Sequence, residues 1–313
     1  MSGSTAPPLE ERSLRIGTRG SPLALAQVHL VSEALAAAHP GAPPAEILPI
    51  VTTGDRITDR PLADIGGKGL FAKEIEAALL AGAIDCAVHS AKDLETRLPD
   101  GLTIAAALPR EDPRDALICP GARTLADVPR GARFGTASAR RRALVRTLRP
   151  DLNVEPIRGN VGTRLAKVAR GEFDATLLAM AGLIRAGCVG DAAPLAVNDF
   201  LPSAGQGIVA VQCRSGDTAV RGHLAAIDHA VSMAALRAER AVLAVLDGSC
   251  RTPIAAHAEQ ERGRMTVRGL VADPDGAGIW RHRETGAAGD FLALGRTVGQ
   301  ALKAAAPPAI LAA

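Results

Sequence analysis

Apolar and polar positions fall in blocks along this chain, and the period of the blocks predicts its elements. Arg15-Ile16-Gly17-Thr18 reads as a short strand ending at a glycine turn, and Ser21-Pro22 opens LALAQVHLVSEALAAAH, whose apolar residues recur at helical spacing. Proline suits a first helical turn, where its missing N–H is not needed. After a break at Gly41 to Pro44, EILPIVTT from Glu46 predicts a second strand, and GDRITDRPLADIGGKGLF a loop rich in glycine and charge. Ala72 to Leu80 reads as a helix. An apolar strand (Ile84, Ala87, Val88) then delivers Ser90, Lys92 and Asp93 at its carboxyl end.

The same order returns further on. Arg133-Phe134-Gly135-Thr136 echoes Arg15-Ile16-Gly17-Thr18, and Gly171-Glu172-Phe173-Asp174-Ala175 echoes Gly82-Ala83-Ile84-Asp85-Cys86. The two echoes are offset by 118 residues (15 to 133) and 89 residues (82 to 171), so the first half carries about 30 extra, placed most simply around 54–69. Two similar α/β lobes flanking a cleft account for this, each offering a Gly-Thr turn and the free N–H groups of a helix start to one anion. Asp93 aligns with Gly182, so only the first lobe supplies a carboxylate there. FLPSAGQGIVAVQCR predicts a glycine-rich turn and a strand over 208–212, which could join either lobe. A helix over 229–246 leads to a third unit, with strands near 254–258, 265–271 and 279–284, a closing helix over 290–305, and a low-complexity tail expected to fray.

Composition narrows the function. At 313 residues the chain is long enough for two or three domains. Aromatics are 2% with no Tyr, which argues against base-stacking platforms, and a net charge of +3 is far from the footprint of a nucleic-acid binder. Five cysteines at 86, 119, 188, 213 and 250 form no C-x-x-C pair and suit a reducing compartment, and the seven histidines show no metal-ligand spacing. No signal peptide and no run of roughly 18 apolar residues is present. The expectation is a cytoplasmic protein with a disordered lead-in over 1–12 and no nucleic acid, membrane or metal partner.

Candidate chemistry sits at the turns. In open α/β sheets ligands bind at the carboxyl ends of strands, and a carboxylate in such a cleft can be tuned by desolvation and by a neighbour such as Lys92, which makes Asp93 the first catalytic candidate. The spacing of Ser90 and Asp93 is also that of a helix capping box. Arg19, Arg140, Arg141, Arg158, Arg164 and Arg185 each lie beside a glycine turn or a helix start, where a guanidinium can pair bidentately with carboxylate or phosphate. Solvated surface charge suits Arg146, Arg149 and Arg170 better, whereas RGNVGTR at 158–164 points to anion binding. GGKG at 66–69 is not a Walker A loop, because Leu62 and Gly69 replace the required residues, and a flexible lid bearing Lys68 remains. Cys250, in LDGSCRTPIA, lies on a turn beside Arg251 that could favour its thiolate, unlike the other four cysteines.

Taken in order, TRGSPLAL, TTGD, GGKGLFAKEIE, VHSAKDL, REDPRDA, GTASARR, RGNVGTRL, LAMAGLIR, LPSAGQG, AERA and GSCRTPI resemble the porphobilinogen deaminase family over nearly the whole chain. The resemblance implies an α/β fold of three domains: two periplasmic-binding-protein-like lobes flanking a cleft, at 13–108 with 200–226 and at 109–199, and a smaller α/β domain at 227–313. It implies a dipyrromethane cofactor joined to Cys250 by a thioether, on which four porphobilinogens are polymerised head to tail with loss of ammonia. Asp93 would be general acid and then stabiliser of the cationic methylene-pyrrole. Lys92, Ser90, Asp93, Thr136, Ser138, Arg140, Arg141, Arg158, Gly159, Asn160, Arg164 and Gln206 would hold the cofactor, and Arg19, Ser21, Arg158, Arg164, Arg185, Lys68 and Phe71 the substrate. Ala137 stands where Ser is frequent in the family and Ser249 where Gly is frequent. A monomer is the family expectation. The rival class is a non-catalytic two-lobed anion receptor or sensor domain, which would have no use for Cys250.

Overall fold

The computed structural model describes residues 12–56, 72–247 and 252–311. Its first sheet holds β1 (Arg15–Arg19), β2 (Glu46–Ile50), β3 (Cys86–Ser90), β4 (Leu102–Ala107) and β10 (Val209–Arg214) in the order β2-β1-β3-β10-β4. β1 is parallel to β2 and β3, and β10 is antiparallel to β3 and β4. The second sheet holds β5 (Asp115–Ile118), β6 (Arg133–Gly135), β7 (Asn153–Glu155), β8 (Ala175–Ala179) and β9 (Ala193–Pro194) in the order β7-β6-β8-β5-β9. Again three strands are parallel and the fourth, β5, is antiparallel to its neighbours. Each antiparallel strand enters from the other half of the chain, so two connections, 108–114 and 195–208, cross between the lobes. β10 therefore completes the first sheet, which settles the assignment that sequence order left open.

The sequence echo has a physical basis. The Asp85 carboxylate accepts a hydrogen bond from the Arg15 backbone N–H at 2.9 Å, and Asp174 accepts from the Arg133 N–H at 2.7 Å, joining β1 to β3 and β6 to β8 in the same way. Gly17 and Gly135 are equally constrained: a Cβ on the first would lie 2.3 Å from Ile84 Cδ1 and on the second 2.9 Å from Ile157 and Phe173. Part of the extra length falls elsewhere than expected, since α1 (Pro22–Ala38) has 17 residues where its counterpart α4 (Ala139–Leu148) has 10. The strand reading from Glu46 also runs too far: β2 ends at Ile50 and a short helix, α2 (Thr53–Arg56), follows.

Helices cover both faces of each sheet. In the first lobe α1 and α7 (Thr218–Ala225) place Val28, Val31, Leu35, Val220 and Leu224 against Ile16, Val88 and Val211, while α3 (Lys73–Leu80) packs Ile75 and Leu79 on Ile84 and Ala87. In the second, α4 packs Ala143 and Leu144 on Phe134 and Leu177, and α5 (Val161–Ala169) and α6 (Met180–Arg185) close the other side. The third unit is an antiparallel meander of β11 (Ile254–Glu261), β12 (Arg264–Ala272) and β13 (Ile279–Ala287) under α8 (Ala230–Leu246) and α9 (Phe291–Ala305). Its far face joins the core of the second lobe through Ala255, Leu270 and Ala272, and Met233 and Leu236 of α8 pack on the first. The tail does not fray as its composition suggests: α10 (Pro308–Leu311) buries Ile310 in the third core.

A buried carboxylate fixes the third unit to both crossovers. Glu239 of α8 accepts from Arg110 Nη1 at 2.5 Å, from the Gly205 N–H at 2.6 Å and from the Ala258 N–H at 2.7 Å. Arg110 lies in one crossover and Gly205 in the other, so one side chain holds three units at a point.

Candidate active site

Strands β1 to β3 and β6 to β8 all lead, at their carboxyl ends, into helices or turns, so each lobe gathers its helix starts at one edge. After β3 the chain makes a single 3-10 turn, Ala91–Asp93, which leaves Ala91 buried and Asp93 exposed. The capping-box alternative does not form. Ser90 makes no side-chain cap bond to that turn and exchanges hydrogen bonds with the Gln27 amide of α1, at 2.9 and 3.1 Å. Asp93 is thereby left available, and its charge acts on the protonated forms of Lys92 from its own turn and of Arg164 from the opposite lobe.

Cations from the second lobe converge on this edge. Burial, with Arg141 nearby, lowers the Arg164 guanidinium to about 10, and its Nε donates to the Gly159 carbonyl at 2.8 Å. Arg158 has a guanidinium nitrogen, Nη2, that is buried and has no hydrogen-bond partner. An unpaired buried charged donor is costly, and an anion would complete this one. Arg185 is lowered by burial and donates to the Gly207 carbonyl at 2.7 Å, reaching from α6 to the crossover. From the first lobe, the Lys92 ammonium is lowered to about 8 by burial and then by Arg141, and donates to Gln206 Oε1 at 3.2 Å.

Other expected residues have partners within the protein. Ser21, Ser138 and Asn160 are the N-caps of α1, α4 and α5, accepting from the N–H groups of Ala24, Arg141 and Thr163. Thr136 is buried, and its hydroxyl accepts from the Ser138 N–H at 3.2 Å. Gly159 has φ +111°, and a Cβ there would meet Thr163 at 2.5 Å, so only glycine lets RGN turn into α5. The Arg19 guanidinium pairs with Asp55, which Thr52 also holds at 2.7 Å. Lys68, Phe71 and Cys250 lie outside the described residues.

Arg140 and Arg141 are both drawn onto a residue that sequence reasoning missed. Arg140 Nη1 donates to Asp115 Oδ2 at 2.7 Å, Arg141 Nη2 and Nε donate to Asp115 Oδ1 at 2.6 and 2.9 Å, and Gln206 Nε2 approaches the same oxygen at 3.3 Å. Burial opposes the charge of Asp115, and the two guanidiniums overcome it, holding its carboxyl well below the usual carboxylate range. The available signal was an aspartate opening an apolar strand in DALIC, the same placement as Asp85 before β3 and Asp174 before β8.

At this edge the exposed Asp93 carboxylate of the first lobe lies within electrostatic reach of two desolvated cations, Lys92 beside it and Arg164 from the second lobe. The family model described as "Porphobilinogen deaminase, dipyromethane cofactor binding domain" matches residues 14–222, and "Porphobilinogen deaminase, C-terminal domain" matches residues 233–304. A porphobilinogen deaminase of Nitrobacter winogradskyi is 53% identical, covering 92% of this chain and 92% of its own length. That of Nitrobacter hamburgensis is 52% identical with the same coverage, and the chloroplastic one of Oryza sativa subsp. japonica is 48% identical over 94% of this chain and 84% of its own. With both family models spanning the lobes and the third unit, the chain belongs to the porphobilinogen deaminase family.

Proposed function

We propose that this enzyme deaminates porphobilinogen and joins four molecules head to tail, releasing ammonia and hydroxymethylbilane, as the transferase step of porphyrin biosynthesis. The observation that carries the reading is the placement of Asp93 within electrostatic reach of Arg164 from the opposite lobe, together with the unpartnered Nη2 of Arg158. A substrate bearing acetate and propionate groups and a leaving amine needs both: guanidiniums for its anions and an acid for its nitrogen. A receptor for anions would use the cations and leave Asp93 without work.

The residues present fit a dipyrromethane. The donor set is cationic, Arg158 has a buried guanidinium nitrogen without a partner, and Lys92 and Arg164 are desolvated. We assign its attachment to Cys250 through a thioether, with Lys92, Arg158 and Arg164 holding its carboxylates. When bound it supplies the pyrrole end to which incoming rings are joined.

Asp93 donates a proton to the departing amine, and the C–N bond breaks with its electron pair on ammonia. The carboxylate that remains stabilises positive charge on the substrate's methylene carbon and conjugated ring nitrogen, electrostatic help that is worth more in a crevice than in water. Ser21, Ser138 and Asn160 cap helices whose starts add partial positive charge for the substrate anions. Arg19 and Arg185 take incoming carboxylates, and we assign Lys68 and Phe71 to the same substrate. We assign lobes to 13–108 with 200–226 and to 109–199, and the cysteine-bearing domain to 227–313. No helix among the described residues is long and apolar enough to cross a membrane, and we read the enzyme as a cytoplasmic monomer. The test is turnover of porphobilinogen by the purified chain: release of one ammonia per ring and appearance of a linear tetrapyrrole are expected, and binding without ammonia release would leave only the receptor reading.

A further inference from the structure

We propose that Asp115 is the positioning residue of the crevice, one buried carboxylate that sets the guanidiniums of Arg140 and Arg141 and, through Gln206, the ammonium of Lys92 for the substrate's carboxylates. The proposal rests on the porphobilinogen reading and adds a residue that touches no substrate. Asp115 is fully buried at the start of β5, directly after the first crossover, and Gln206 lies in the second crossover. The network therefore stands where the chain passes between the lobes.

Three features of the geometry assign it this role. Successive residues on a helix diverge around its axis, and Arg140 and Arg141 are successive on α4, so a shared anion is what draws both guanidiniums to one place. The carboxylate accepts from Arg140 Nη1, from Arg141 Nε and Nη2, and from Gln206 Nε2, which occupies the roughly four acceptor sites of two oxygens and leaves none for substrate or proton transfer. Backbone carbonyls hold the guanidiniums as well: Arg140 Nη1 also donates to Leu201 O at 2.8 Å and Arg141 Nη1 to Leu177 O at 2.7 Å, while Gln206 Oε1 accepts from Lys92. Arg140, Arg141 and Lys92 are three cations against two carboxylates, Asp115 and, at Lys92, Asp93, so the cluster keeps surplus positive charge in a desolvated place, the condition for attracting carboxylates.

The test uses the full-length holoenzyme and the variants Asp115→Asn and Asp115→Glu. The groups facing Lys92 are Asp93 on its own turn, Arg140 and Arg141 from α4 and Asp115 from β5, so removing the Asp115 charge disfavours the ammonium. Asp115→Asn is expected to lower kcat/KM roughly 100-fold, chiefly through KM. It is also expected to move the pH midpoint of Lys92 acylation, read by peptide mass spectrometry, down by about one unit. Asp115→Glu keeps the charge and should keep the Lys92 midpoint while raising KM. A merely structural role would reduce the folded, active fraction and so the apparent kcat, with KM and the Lys92 midpoint unchanged. Wild-type KM and midpoint in folded Asp115→Asn overturn the proposal, and if that variant does not fold, a wild-type KM in Asp115→Glu overturns it. Absence of turnover in the wild type would refute the porphobilinogen reading alone, because the Lys92 midpoint still reports on Asp115.

Discussion

Asp93 and Lys92 are neighbours in sequence with opposite demands on their surroundings. Asp93 is exposed at the crevice edge, whereas burial and Arg141 lower Lys92 to about 8. Asp93→Asn keeps the shape and removes the proton, so kcat should fall by roughly 10²–10⁴ with the thermal midpoint unchanged, checked by ammonia release and calorimetry. A fall below tenfold would assign the acid elsewhere. For Lys92, the ammonium is present below pH 8 and is lost above it, so KM for porphobilinogen should rise as pH climbs past 8. Stability moves the opposite way. Between about 8 and 10.5 the unfolded chain binds the proton that the folded chain has lost, so the contribution of Lys92 to stability rises with pH across that window. A Lys92→Met variant should flatten the KM profile. These two residues were legible in VHSAKDL, but the partners that tune them were not, because Arg141, Arg164 and Asp115 lie far along the chain and arrive only through the crossed connections.

At the scale of elements, α8 matters more than its amphipathic pattern suggests. Glu239 is fully buried and bridges Arg110, Gly205 and Ala258, so Glu239→Ala leaves the Arg110 charge without its carboxylate, held only by the Gln206 and Ala258 carbonyls, and takes the acceptor from two backbone N–H groups. Removing one member of such a buried pair typically costs about 3–5 kcal/mol, which denaturant unfolding would measure, and a loss below about 1 kcal/mol would show that the bridge is dispensable. Gly207, beside it, has φ +89°, and a Cβ would lie 2.3 Å from the Glu111 carbonyl, so the turn before β10 admits no side chain. The elements themselves were well marked in the sequence, since strands and helices here follow apolar periodicity closely. What periodicity misread was local: Ser90 looked like a cap because spacing cannot tell a hydroxyl facing its own turn from one facing Gln27 on a packed helix. Arg149 looked like solvated charge, yet it holds Asp151 at 2.7 Å and donates to the Val128 carbonyl at 2.8 Å.

Across the whole molecule, the duplicated lobe is the feature that sequence revealed most directly, through Gly17 and Gly135 and through Asp85 and Asp174. The lobes differ at the residue proposed as the acid: Asp93 has Gly182 as its counterpart, on α6, where a Cβ would make an ordinary 3.7 Å contact with Leu23 at the start of α1. Two buried histidines bind the assembly to a pH range. Burial lowers His89, on β3, to about 4, and His257, beside Glu239, to about 3. Both are neutral when folded, while in the unfolded chain each takes up a proton below about 6.5. Their contribution is therefore complete above pH 6.5 and is lost as pH falls toward 4 for His89 and 3 for His257, each at up to about 1.4 kcal/mol per pH unit. Buried carboxylates such as Asp85 and Asp115, held low by their arginines, lose their contribution only at more acidic pH, so the first part of acid destabilisation belongs to the histidines. Chemical denaturation at pH 7.5, 5.5 and 4.5 should show stability falling with acidity, and His89→Gln with His257→Gln should flatten that fall. If the double variant loses stability with acid as steeply as the wild type, the histidines are not the groups that limit the fold, and the crossed network of carboxylates and arginines between the lobes must carry the acid sensitivity instead.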